Sequence, residues 1–450
     1  MSKQPLAIIV LAAGKGTRMQ SAIPKVLHQV AGRAMVRHVL AAAESLKPKS
    51  TVIVVGPDMD TVTKAVEPYP TVVQPNQSGT GDAVKVALPA LEGMRNGTVL
   101  VLFGADPLIR PETLNDMVEA REAGAAIVVL GFRAGNPSGY GRLVLDKAGN
   151  LQAIVEDKDA TEQQRTIDLC NAGAMAIDAE RLCGLIARLG NENAKSEYYL
   201  TDIVSLARED GCVCSVVETA EADAIGVDSR AELARAEALW QARRRIEVME
   251  GGVTLRDPES VFFAYDTVLG RDVLVGPNVV FGPGVEVADS VEIKAFSHLE
   301  GAIIGAGTTI GPFARLRHGT ELGEDVQIGN FVELKNTRMA TGSKANHLAY
   351  VGDSEVGKKA NIGAGTITCN YDGFQKHRTV IGEEAFIGSN SALVAPVRIG
   401  DGAIVGAGST VSRDVPKNAL SIERSKQIDL AGRAKTFREE HAAAKVGKKE

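Results

Sequence analysis

Aromatic residues are scarce in this sequence, 4% of 450 residues with a single Trp, too few for the stacking platforms on which single-stranded nucleic acids bind. A surplus of positive charge is missing too: 50 Lys+Arg stand against 56 Asp+Glu, a net charge of −6. Nucleic-acid binders normally carry a basic excess, so no nucleic-acid partner is expected. The cysteines number five (Cys170, Cys183, Cys212, Cys214, Cys369) and form no CxxC pair. That pattern excludes a disulfide framework and a zinc site, and predicts reduced thiols in a cytoplasmic protein. No apolar run reaches the ~20 residues a bilayer requires. The run LAIIVLAA at 6–13 leads directly into GKGTRM, which reads as a buried strand, so no membrane partner is expected. What is plentiful is glycine, at 47 residues, and hydrophobic residues, at 44%. The latter support a sizeable core and exclude wholesale disorder.

Length alone suggests two to four domains at ~100–200 residues each. The N-terminal half alternates apolar runs, at 6–12, 51–55, 99–103 and 126–132, with helical patterns such as 33–47 and 111–123. Short Val/Ile/Leu runs between helices predict parallel strands covered on both faces. Such an α/β Rossmann-like domain binds ligands at the carboxyl ends of its strands. At 229 the character changes. Ser229 can cap, Glu232 follows three residues later as in a capping box, and helix formers run on to Gly251-Gly252, predicting a linker helix over 230–250. The expected organisation is an α/β domain over 1–229, the linker helix 230–250, and a third segment over 251–450 ending in a helix at 428–444.

Past residue 270 the apolar period becomes six. Val273, Val279, Val285 and Val291 share one register. Ile304, Ile310, Leu316, Leu322, Ile328 and Leu334 share a second, and Ile381, Ile387, Leu393, Ile399, Val405 and Val411 a third. Glycine often follows the aliphatic, as at Gly305, Gly311, Gly323 and Gly329. Neither a helix nor an ordinary strand has this period. A parallel β-helix of hexapeptide repeats does, with one inward aliphatic per short strand and three strands per coil. The registers break around 295–303 and at 369–380, CNYDGFQKHRTV. Solenoids carry insertions as loops on one face, which makes the second break a candidate site.

The strand at 6–12 runs into AAGKGTRM (12–19), with Pro24-Lys25 beyond. Gly14 and Gly16 let backbone N–H groups approach a phosphate, while Lys15, Arg18 and Lys25 supply positive charge. The string lacks the GxxxxGK[ST] pattern of a P-loop, and Met19 stands where a dinucleotide fingerprint has its third glycine. It resembles the opening motif of the sugar-phosphate nucleotidyltransferases. Together with the hexapeptide half, nearly the whole chain resembles the bacterial bifunctional N-acetylglucosamine-1-phosphate uridyltransferase / glucosamine-1-phosphate acetyltransferase family. The resemblance implies that the C-terminal half, a left-handed β-helix, acetylates glucosamine 1-phosphate from acetyl-CoA. The N-terminal half then joins the product to UTP and releases pyrophosphate. It also implies Mg²⁺, a homotrimer with acetyl-CoA between adjacent prisms, and a cytoplasmic role in supplying UDP-N-acetylglucosamine for cell-envelope polymers.

By the same resemblance Leu11, Ala12, Ala13 and Gly14 contact the uridine nucleotide and Lys25 its phosphates. QPNQSGTGDA (74–83) matches the uracil-reading segment and assigns Gln74, Gly79 and Thr80 to it, with Asp82 where the family usually has His. SGYGR, IVEDKDA and CNAG assign Gly141, Glu156 and Asn171 to the sugar. Uridylyl transfer brings two anions together, and a divalent cation with oxygen ligands offsets their repulsion. Asp228, in GVDSR, stands at the family's second metal position and near the nucleotide. The first, the Asp of Gly-Asp-x-Pro-Leu, is Ala105 in FGADPLI (103–109), with Asp106 one place later. A one-residue slip in an extended segment turns a side chain to the opposite face. Asp106 is thus the weaker candidate ligand, and slow uridylyl transfer is expected.

Acylating an amine requires a base, since an ammonium group cannot attack a thioester, and His has the suitable pKa. Of seven histidines, His347 lies in GSKANHLAYVGD, which resembles the family's catalytic segment. Arg317 and Lys335 are then assigned to the sugar phosphate, and Tyr350 and Asn361 to the sugar. Ala364, Asn370, Tyr371, Ser389, Ala407 and Arg424 fall to acetyl-CoA. Glu333 is expected to orient the imidazole, as carboxylates often do. The alternatives are a nucleotidyltransferase with a purely structural or regulatory β-helix and a non-enzymatic scaffold. Neither has need of KANHLAY or NIGAGTITCNYDG.

Overall fold

The computed structural model describes residues 4–91, 93–94, 96–193 and 196–446. The chain divides into two units, Met1–Glu247 with Phe262–Tyr265, and Val248–Val261 with Asp266–Glu450.

The first unit is built on a mixed sheet. Its strands lie in the order Cys214–Thr219, Ile127–Arg133, Leu169–Asp178, Thr98–Phe103, Leu6–Leu11, Ser50–Val55 and Thr71–Val73, with a hairpin of Arg142–Leu145 and Leu151–Val155 beside them. The four apolar runs read from sequence are all strands of this sheet and share one direction. Thr51 aside, they carry no polar side chain, because successive side chains enter two different cores. Ile8, Val10, Ile53, Leu100 and Leu102 pack with helices Met35–Glu44 and Pro111–Glu122 on one face. Ile9, Val52, Val54, Val99 and Val101 pack with Thr80–Ala87, Ala179–Ala187 and Ile203–Glu209 on the other. The four runs are mutually parallel as expected, and the sheet is mixed because Leu169–Asp178, which was not among those runs, inserts antiparallel to both its neighbours. A register shift between Asn171 and Met175 breaks its apolar pattern.

The helix expected over 230–250 runs Arg230–Glu250. Ser229 Oγ accepts from Glu232 N at 3.3 Å, satisfying a donor that an uncapped helix start leaves unpaired, and the Glu232 carboxylate reaches back to Asp228 N, just before the cap, at 2.8 Å. The helix packs along the first unit: Ala236 is fully buried in its core, and the buried Gln241 exchanges two hydrogen bonds with the backbone of Phe263.

The second unit is a parallel β-helix. Successive coils pair Leu274 with Glu292, Glu292 with Thr309 and Thr309 with Gln327. All sixteen aliphatics of the three sequence registers, Val273 through Val411, are buried. The first break is a shortened coil, in which Glu286 pairs with Ile303. The second is an outward insertion, with Glu355 pairing with Val380 across it. A terminal helix spans Arg433–Val446. The coils approach so closely at Gly329 that an added Cβ would stand 1.8 Å from the Asn346 carbonyl oxygen. Gly329→Ala must push neighbouring coils apart and is expected to cost about 1–3 kcal/mol, read as a lower urea midpoint for this unit.

Candidate functional site

In the first unit the strand Leu6–Leu11 delivers its carboxyl end to a cavity of about 510 Å³. Leu11, Ala12, Ala13, Gly14, Lys25, Gln74, Gly79, Thr80 and Asp228 all line it. Gly79 has φ +108°, and a Cβ there would meet the Tyr198 carbonyl oxygen at 2.6 Å, so only glycine suits that bend. Gly141, Glu156 and Asn171 do not line this cavity. They form their own cluster, in which Asn171 N donates to Gly141 O at 2.8 Å and Glu156 Oε1 lies 3.7 Å from the Cβ position of Gly141. Phe103, in the cavity wall, packs against Gly173 nearby. Two further wall residues had no role assigned from sequence: Gln77, which lies within the QPNQSGTGDA string and whose amide donates to Ala13 O, and Glu197, which lies in no marked motif.

The cavity floor carries two carboxylates. Asp228 accepts from Lys25 Nζ at 2.7 Å and pairs with Arg18 at 2.8 Å. Burial alone would raise its pKa, but these two cations outweigh that and hold it below the usual carboxylate range. Asp106 also faces the cavity, which corrects the expectation that it points away. The slip argument holds for extended chain, and residues 104–109 are a turn instead: Asp106 N donates to Phe103 O, and Ile109 N to Asp106 O. Asp106 opens partly onto the cavity, yet the surrounding protein leaves it poorly hydrated. Burial and the nearby Asp228, opposed by Lys25, push its pKa up to about 8. Ala105 touches the cavity edge but packs into the core.

In the second unit His347 ends the strand Lys344–His347 at a corner of the β-helix. Its Nδ1 bonds Asn330 Oδ1 at 2.8 Å, on the coil below, so an Nδ1–H donated to that oxygen leaves Nε2 with its lone pair outward. The expectation that Glu333 orients the imidazole is corrected here. Glu333 pairs with Arg317 at 2.9 Å and Arg315 at 3.9 Å. Along the same corner, backbone bonds link the coils in order: Leu348 N to Asn330 O, Gly365 N to His347 O, Asn390 N to Ala364 O and Gly408 N to Ser389 O. His347, Ala364, Ser389 and Ala407 therefore occupy one edge, one per coil. Arg424 is tied to that edge through Nη1, 2.6 Å from Ala407 O.

Arg317, Lys335 and Tyr350 lie on the face that follows this corner, and Asn361 on the face that precedes it. The insertion loop brings a cation to which no role was assigned from sequence: Lys376 stands beside Lys335 and, with Arg317, pushes its amine below the ordinary lysine value. Three cations held this close form a site prepared for a multiply charged anion. The loop is ordered by Asp372, which accepts from Phe374 N, Gln375 N and His377 Nε2 at 2.6–2.8 Å. Asn370 is anchored to Asp353, and Tyr371 donates to Gly373 O at 2.6 Å. Each thus has a defined place at the loop's base.

An α/β cavity lined by Gly14, Lys15 and Lys25 and a hexapeptide β-helix corner bearing an imidazole are the frame of a two-site transferase, one nucleotidyl and one acyl. Residues 8–167 match the MobA-like NTP transferase domain, 378–413 the bacterial transferase hexapeptide (six repeats), and 257–336 the GMPPB C-terminal domain. The chain is 56% identical to Bifunctional protein GlmU of Paramagnetospirillum magneticum over 100% of both chains. It is 59% identical to that of Rhodospirillum rubrum, over 96% of this chain and 97% of the other. It belongs to the GlmU family of bifunctional enzymes.

Proposed function

We propose that the chain makes UDP-N-acetylglucosamine in two steps. The β-helix corner N-acetylates glucosamine 1-phosphate from acetyl-CoA, and the α/β cavity transfers uridylyl from UTP to the product with loss of pyrophosphate. The observation that carries this reading is the single edge on which His347 stands in line with Ala364, Ser389 and Ala407 beside three clustered cations. Arg317, Lys335 and Lys376 hold the sugar phosphate. Nε2 of His347 takes the proton from the amine, the freed nitrogen attacks the thioester carbon, and the CoA thiolate leaves.

In the cavity, Lys25 and the N–H groups around Gly14 receive the nucleotide phosphates. Among the described residues no three His, Cys, Asp or Glu side chains gather as a metal cage. Mg²⁺ commonly needs only one or two carboxylates plus substrate phosphates. Asp106 and Asp228 on one cavity floor fit that requirement, and Mg²⁺ held there supplies charge neutralisation at the reacting phosphates. Asp106 thereby takes up the work of the absent carboxylate at 105, and uridylyl transfer is retained.

Acetyl-CoA, UTP and glucosamine 1-phosphate are supplied together, and free thiol and pyrophosphate are followed. Both are expected to appear, with pyrophosphate lagging behind thiol. Thiol without pyrophosphate would overturn the role given to Asp106. Ala105→Asp is expected to leave uridylyl turnover within about threefold of wild type and to lower stability by about 1–3 kcal/mol, because it puts a carboxylate into core packing. A tenfold gain would return the metal role to position 105.

The assembly we infer is a homotrimer. Phe296, Phe313 and Phe331, each about half exposed, stack on one another along a corner of the β-helix with ring centroids 4.9 and 5.1 Å apart. An apolar ladder of this kind suits side-by-side packing of prisms. A cytoplasmic location accords with five free thiols and with the absence, among the described residues, of any helix long and apolar enough to cross a membrane.

A further inference from the structure

Gln74 is 4% exposed, and its side chain reaches the cavity wall. Its amide nitrogen donates twice: to Gly79 O at 2.9 Å and to Asp82 Oδ2 at 2.8 Å. The same Asp82 oxygen accepts Ser78 N–H at 3.2 Å, so the carboxylate is itself held in place by backbone. A carbonyl and a carboxylate can only accept. Both N–H bonds of the Gln74 amide are therefore committed, and a half-turn of that amide would set its oxygen against two other oxygens. What Gln74 has left to offer the cavity is Oε1, an acceptor. The segment that bears these groups is braced from outside, by Gly81 N donating to Tyr198 O at 2.8 Å.

We propose that Asp82 is a positioning residue that locks the Gln74 amide in one orientation and so sets the choice of pyrimidine. This rests on the reading of the cavity as the nucleotide site. Uracil presents N3–H, a donor, where cytosine presents a bare N3 lone pair. A fixed acceptor pairs with the first and repels the second. An amide free to flip would offer its N–H to cytosine and lose the distinction, so the discrimination resides in the carboxylate behind Gln74 as much as in Gln74 itself.

The test compares kcat/KM for UTP and CTP, with N-acetylglucosamine 1-phosphate as acceptor, in the full chain and three variants. Asp82→Leu keeps the branched shape and removes every acceptor; the UTP/CTP ratio is expected to fall at least about tenfold, chiefly through a higher KM for UTP. Asp82→Asn keeps one oxygen able to stand where Oδ2 stands, and its ratio is expected to remain within about threefold of wild type. An unchanged ratio in Asp82→Leu, with both nucleotides slowed alike, overturns the lock. Gln74→Leu separates the two levels. If it collapses the ratio while Asp82→Leu does not, the lock alone fails; if neither moves it, the reading of Gln74 as base reader fails. Asp82→Ala makes the same deletion without bulk should leucine not be accommodated, and is judged by the same ratio.

Discussion

Asp106→Asn is expected to slow uridylyl transfer by about 10²–10³-fold while making the first unit more stable at pH 8. The two effects share one origin. A carboxyl raised to about 8 keeps a proton in the folded chain that the unfolded chain releases near pH 4. Between those values the folded state binds more protons, so stability falls as pH rises. Asparagine carries no titrating proton and removes that decline. Wild type and variant should melt together near pH 4 and separate toward pH 8, the variant being more stable by roughly 1–3 kcal/mol. Melting is followed in chelator, so that it reports the side chain's own electrostatics, and transfer is followed with Mg²⁺ present. A variant that is more stable and nearly inactive marks a carboxylate kept at a cost to folding for its charge. A fall in melting temperature at pH 8 would instead assign Asp106 to structure. Unchanged turnover would remove it from the reaction.

The regions of this molecule that could be read from sequence are those where burial imposes a period. The strands at 6–12, 51–55, 99–103 and 126–132 stand out because both faces of that sheet are covered. The β-helix stands out because each coil puts an aliphatic inward every sixth residue. Leu169–Asp178 did not appear as a strand, because the shift after Asn171 interrupts the pattern at the place where Gly141, Glu156 and Asn171 come together. The cavity of the first unit was largely legible because its residues come in contiguous strings. Asp106 was misplaced by a rule for extended chain applied to a turn. The partners of His347 and Lys335 were out of reach for a different reason. Asn330 meets His347 only because coils stack, and Lys376 meets Lys335 only because the insertion folds back over the face. Sequence separation carries no signal of either. The same holds for Asp82, whose departure from the family pattern was visible but whose partner, Gln74, was not.

His347→Ala is expected to abolish acetyl transfer, by about 10³-fold or more, and to leave uridylyl transfer from supplied N-acetylglucosamine 1-phosphate unchanged. The imidazole is exposed at a corner and bonded to one side chain, Asn330, so its removal leaves the buried aliphatic column intact and should not move the urea midpoint. The more searching variant is Asn330→Leu. If Asn330 Oδ1 holds the Nδ1–H tautomer, its loss lets the proton sit on either nitrogen and frees the ring to turn. Acetyl transfer should then fall about 10–100-fold in kcat with little change in KM for either substrate. Equal losses in kcat and in folding stability would reduce Asn330 to a coil-stacking residue. A fall confined to KM would place it against substrate rather than behind the base.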